Sequence, residues 1–111
     1  MRSTQEVIDH HLQAFGEGID SILSDYDDNS YIISQQGTFR GTKEIRSFFE
    51  AFVSGLPDGF MDSFKVNICE VDGEVGYITW EANPWFPLGT DTFVVSNDKI
   101  RHQTFAAYSS Q

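Results

Sequence analysis

Apolar positions in the first half of the chain fall at helical spacing, and from Phe60 onward they alternate. Ser3 and Glu6 have the spacing of a capping box. After them Val7, Ile8, Leu12 and Phe15 form one stripe with His11 in its middle, which predicts a helix ending near Gly16 and Gly18. Ile19, Ile22, Leu23 and Tyr26 repeat the spacing over about two turns, with Asp20 near the positive end and the polar cluster DDNS as the stop. YIIS reads as a short strand, and the glycine-punctuated segment after it has room for a second around Thr38 to Arg40. Thr42 is the expected cap of a third helix, which carries Ile45, Phe48, Phe49, Phe52 and Val53 on one side and ends at Leu56 and Pro57.

Beyond Phe60 the period is two: Phe64, Val66 and Ile68 alternate with Ser63, Lys65 and Asn67. Asp72-Gly73 suits the centre of a tight hairpin, with GYITWEA as the returning strand. NPWFPLG reads as a loop, stiffened by two prolines and rich in large apolar groups, which makes it a candidate lid or dimer contact. TDTFVV, the turn SND and KIRHQTFAAY complete a second hairpin. Three helices followed by four long antiparallel strands define an α+β fold, in which a curved antiparallel sheet wraps around N-terminal helices and encloses a conical hollow. Ten Phe, four Tyr and two Trp are available to line that hollow.

Length and composition narrow the choice. The 111 residues, 40% hydrophobic, are enough for one core, and residues 1–111 are read as one domain. Seven basic residues against 17 acidic ones give a net charge of -10, so a broad surface of this chain repels phosphate backbones and anionic lipid. Neither nucleic acid nor membrane is an expected partner. A single cysteine, Cys69, allows no internal disulfide, and the N-terminus lacks the apolar core of a signal peptide, so the expected compartment is the cytoplasm. The three histidines and Cys69 have no zinc-site spacing, and the glycines of GTFRGT are not spaced as a phosphate loop; no metal and no cofactor are expected.

Helix one running into FGEGIDSILSDYDDNSYI, then GTFRGTKEIRSFFEAF, GTDTFVV and DKIRHQTFAAY, resembles the SnoaL-like branch of the nuclear transport factor 2 superfamily, which also contains the ketosteroid isomerases. The resemblance in element order covers nearly the whole chain, and its motifs are loose. It implies an α+β cone and a homodimer packed through the outer sheet face. It also implies a small hydrophobic organic molecule as partner, handled by isomerase or polyketide-cyclase chemistry or simply bound without catalysis. By the same resemblance Asp91 falls at the place of the isomerases' strand acid and His11 at the place of their helix-one tyrosine donor. Ser34 falls at the place of their general-base aspartate, and a serine hydroxyl cannot abstract a proton unaided. Gly89 stands where an epoxide-hydrolase relay would hold arginine.

The residues themselves leave two readings open. Asp91, Phe93 and Val95 share a strand face, and two apolar neighbours want cover, so Asp91 is either a pocket acid or a bonded group at the strand start. His11 is either a satisfied core histidine or, if it meets Asp91, half of an acid–base pair. Phe15, Tyr26, Ser34, Phe52, Trp80, Trp85 and Phe93 are the expected pocket lining. His10 faces outward or sideways and has no assigned role. His102 shares a face with Ile100 and Thr104, in the cavity or, preferably, in a dimer interface.

Overall fold

The computed structural model describes residues 1–109. Two helices come first, α1 (Thr4–Ala14) and α2 (Ile19–Leu23), and a third, α3 (Gly41–Ser54), follows a short strand pair. The capping box at the start of α1 is formed in both directions, with the Ser3 hydroxyl accepting from the Glu6 amide at 3.1 Å and the Glu6 carboxylate accepting from the Ser3 amide at 2.8 Å. Helix α2 has five residues, so it is shorter than the two turns expected and Tyr26 lies beyond its end. Thr42 does not cap α3. Arg40 holds the cap position, its amide reached by Glu44 at 2.8 Å, while the Thr42 hydroxyl donates to Asp28 at 2.6 Å.

The six strands are β1 (Tyr31–Ser34), β2 (Gly37–Arg40), β3 (Phe64–Asp72), β4 (Val75–Ala82), β5 (Phe86–Ser96) and β6 (Lys99–Tyr108), in one sheet ordered β2-β1-β6-β5-β4-β3. All neighbours are antiparallel except β1 and β6, which run parallel. The first strand pair therefore extends the meander at its β6 edge. Between α3 and β3 the chain makes one further turn of helix, α4 (Phe60–Ser63), where strand had been expected from Phe60. That turn drives Phe60 into the core against Phe52, Trp80 and Phe86, a position an extended start would not reach.

Both tight hairpins are present, with one shift. Asp72 pairs with Val75, so the two-residue turn is Gly73-Glu74 and only Gly73 needs positive φ, at 60°. Ser96 pairs with Lys99 around Asn97 and Asp98, both at positive φ, which is the primed turn that matches the twist of the flanking strands. NPWFPLG is not a seven-residue loop. Only residues 83–85 turn, and Phe86 already starts β5, paired with Ala82. No lid is built there.

The helices cover one face of the sheet. Val7, Ile8, Ile22, Ile45 and Phe49 from the helices meet Ile78, Phe93, Val95 and Ile100 from the strands, all buried. A polar clamp fixes the start of α1 to this core: Arg2 donates to the fully buried Asp25 at 3.0 Å and to Asp98 at 3.1 Å, and His10 Nδ1 lies 2.7 Å from the other Asp25 oxygen. His10 thus has a structural partner that sequence spacing did not suggest. Among the described residues no helix is long and apolar enough to cross a membrane.

Candidate functional site

Strand β5 presents Gly89, Asp91, Phe93 and Val95 inward in strict alternation, and this alternation places a carboxyl inside the cone. Helix α1 brings His11 to the same space through its apolar stripe. Both groups line a cavity of about 50 Å³. Its remaining walls are mostly aromatic: Phe15, Phe49, Phe52, Phe60, Trp80 and Phe93 among them. His11 and Asp91 do not bond to each other. They are joined through two residues between them.

Asp91 Oδ1 accepts from Trp80 Nε1 at 2.8 Å, and Asp91 Oδ2 accepts from Gln103 Nε2 at 2.9 Å. The other end of the Gln103 amide accepts from the Tyr26 hydroxyl, whose oxygen stands 3.5 Å from His11 Nδ1. Because the Tyr26 hydrogen is committed to Gln103, the long contact to His11 is a hydrogen bond only when Nδ1 carries the hydrogen. The tautomer that follows leaves Nε2 as an acceptor. Every buried side-chain nitrogen or oxygen among the described residues has a partner, so Nε2, which has none among those residues, is left open to the cavity. All donors in the chain His11, Tyr26, Gln103 then point toward Asp91.

The electrostatics follow from burial without a counter-ion. Asp91 is 7% exposed and has no cationic partner among the described residues; burial pushes its carboxyl up to about 6, against the pull of the two donors from Trp80 and Gln103. His11 moves the other way, held down at about 4 by burial and to a lesser extent by His10, with Asp25 opposing. Burial, then Asp91 and Asp25, hold the Tyr26 phenol well above its ordinary value. At neutral pH the site therefore contains a carboxylate, a neutral imidazole and an intact phenol. Both oxygens of Asp91 receive hydrogen bonds, which suits a base that becomes an acid after taking a proton.

The expected lining needs three corrections. Ser34 is not in the cavity: it ends β1 opposite Gly37, and its hydroxyl donates to the Gly37 carbonyl at 3.2 Å. Tyr26 stands behind the wall, reaching the site only through Gln103 and His11. Trp85 lies in the β4–β5 turn with its ring against Gly59, outside the cavity. His102 is exposed on the outer sheet face, its ring 4.5 Å from that of Tyr31.

Gln103 is the residue that sequence reasoning missed. Counting by twos from Ile100 puts 102 and 104 inside and 103 outside. In the structure Val94 pairs with His102 and Val95 with Ile100, so Arg101 is a bulge and the phase of β6 flips after it. A signal for this was present, since Ile100 and Phe105 have opposite parity and one unbroken alternation cannot turn both inward.

Gly89 has a second unforeseen role. A Cβ there would come within 2.1 Å of Trp80 Cε2, so the absent side chain is the slot in which the indole lies flat and aims Nε1 at Asp91. Among the described residues no cluster of three or more His, Cys, Asp or Glu is arranged to hold a metal ion.

No known family's sequence profile matches the chain, and no curated protein matches it. Solved structures share its fold. A SnoaL-like protein of unknown function from Burkholderia thailandensis superposes with a TM-score of 0.74 at 17% identity, over 97% of this chain and 95% of the other. A proposed isomerase of the SnoaL-like family from Agrobacterium tumefaciens gives 0.71 at 13% identity, over 97% and 99%. A proposed polyketide cyclase from Sinorhizobium meliloti gives 0.74 at 13%, over 90% and 93%. The chain thus has the α+β cone of nuclear transport factor 2-like proteins, in the form seen in SnoaL-like and ketosteroid isomerase-like structures.

Proposed function

We propose that the protein binds a small hydrophobic organic molecule in the cone and uses Asp91 to move a proton at the molecule's carbonyl end. The observation that carries this reading is the setting of Asp91: a carboxyl facing a mostly aromatic cavity, held by the neutral donors of Trp80 and Gln103 and titrating near 6. A purely structural carboxyl gains nothing from such a place, because its ionised form is costly without a cation. A base needs that setting, since its proton affinity must lie near the working pH. The carboxylate takes a proton from the carbon next to the carbonyl, the C–H electron pair passing to the carbonyl oxygen as an enolate, and can return the proton to the same or another carbon, which is the common step of isomerisation and cyclisation. His11 Nε2 accepts from a hydroxyl on the ligand and orients it.

Exchange of α-hydrogens for deuterium in 2-butanone, followed by NMR in heavy water, tests the step without knowledge of the natural substrate. The wild-type chain should accelerate exchange, with a rate that rises through pH 6 and levels off above it, because the base must be ionised. Asp91→Asn should lose at least about 100-fold. Equal rates for the two proteins would remove Asp91 from the chemistry.

We also infer a homodimer through the outer sheet face. Ile68, Val75 and Tyr77 share that face and are 49, 45 and 39% exposed, a run of apolar surface opposite the cavity. Light scattering should report twice the 12.6 kDa chain mass. A Tyr77→Lys variant should run as a monomer, whereas a wild-type monomer would end this assignment. A dimer of this kind is compatible with a non-catalytic binding module as well, and the exchange assay separates the two.

A further inference from the structure

The inner cavity, at about 50 Å³, is too small to enclose more than the polar end of an organic ligand. Next to it lies a much larger space, an open groove of about 900 Å³ between α3, the turn after β1 and the far ends of β5 and β6. Phe48, Phe52 and Phe105 line both spaces. They are the partition. Phe105 meets Phe48 and Phe52 edge to face at 6.1 and 5.6 Å, and Phe52 and Phe105 are only half-buried, with the groove on one side to receive a ring that swings.

The chemistry of the groove is one-sided. In a chain that is 22% charged, no described residue lining it is charged. Ala51, Phe86, Leu88, Ala106 and Ala107 give it an apolar floor and walls, and Leu88 is 49% exposed there. An opening made by turning one or two phenyl rings is narrow, so it admits a chain and not a fused ring system.

We propose, building on the site reading above, that the ligand is an elongated molecule with one oxygen-bearing head and an uncharged aliphatic tail. The head lies against Asp91 and His11, and the tail passes the Phe48–Phe52–Phe105 partition into the groove beside α3. The head supplies the chemistry and the tail supplies most of the affinity.

A series of 2-alkanones from 2-butanone to 2-decanone tests this, with affinity read from the quenching of tryptophan fluorescence and turnover from α-hydrogen exchange. Affinity should rise about three- to fourfold for each methylene that enters the groove. Ala51→Glu and, separately, Leu88→Lys put a charge on exposed groove positions without touching the core, and each should flatten the dependence on chain length. Phe52→Ala should speed the binding of 2-decanone. If 2-butanone is bound and exchanged but lengthening the chain changes nothing, or if both charged variants keep the wild-type slope, the tail assignment is wrong while the Asp91 reading stands. If no ketone of any length is bound or exchanged, both fall.

Discussion

Trp80→Ala should lower the stability of the folded chain by about 4 kcal/mol, read as a fall in the midpoint of urea unfolding. The indole is 3% exposed, lies parallel to the Phe105 ring with centroids 6.3 Å apart and packs against Phe60, Phe64 and Phe86. Its removal leaves a void among aromatic rings that cannot collapse together, and it strips Asp91 Oδ1 of its donor. Trp80→Phe separates the two losses, since it keeps most of the ring volume and removes only the hydrogen bond. Gly89→Ala should be nearly as damaging, about 3 kcal/mol, because its Cβ would lie 2.1 to 2.6 Å from three indole atoms and push the ring out of its slot. The two sites are strongly coupled. In a Trp80→Ala background Gly89→Ala should cost almost nothing, whereas additive costs would mean that the indole does not occupy the slot.

The second large effect is a pair of opposed pH dependences. Asp91 keeps its proton up to about pH 6 in the folded chain, against an ordinary value of 3.8. The folded state therefore holds more protons than the unfolded state across that window, and its stability falls as pH rises through it. His11 gives up its proton at about 4 when folded, against 6.5 ordinarily, so the unfolded state holds more protons and stability rises with pH over nearly the same range. Each slope amounts to about 3 kcal/mol, and in the wild type they largely cancel. The single variants uncover them. Measured against wild type from pH 4 to 7, Asp91→Asn should gain about 3 kcal/mol of relative stability and His11→Gln should lose about as much. Denaturant melts at half-unit pH steps measure both, and a flat difference for either variant would mean that the group is not held in its buried form.

These dependences explain why a cone filled with aromatic side chains tolerates a carboxyl at its centre. The cost of ionising Asp91 is borne near neutral pH and is offset by hydrogen bonds from Trp80 and Gln103. Those two residues come from the strands on either side of β5, so the carboxyl is gripped by the sheet itself. Helix α1 adds His11 from above.

The helical stripes of α1 and α3 and the inward direction of Asp91, Phe93 and Val95 were legible in the chain, because hydrophobic periodicity depends only on the geometry of each element. Elements decided by local steric preference were less clear. Gly59 at φ 86° starts the turn of α4, and Gly73 alone carries the positive φ of its hairpin. What tertiary structure alone decided is the company Asp91 keeps. The bulge at Arg101 turns Gln103 inward, and a bulge is set by how β6 must twist to pair with both β1 and β5. Gly89, read as part of a loop, is an empty place shaped by an indole nine residues earlier in the chain. Periodicity states which way a side chain points; what it meets there depends on packing between elements distant in sequence, and that is information no single segment contains.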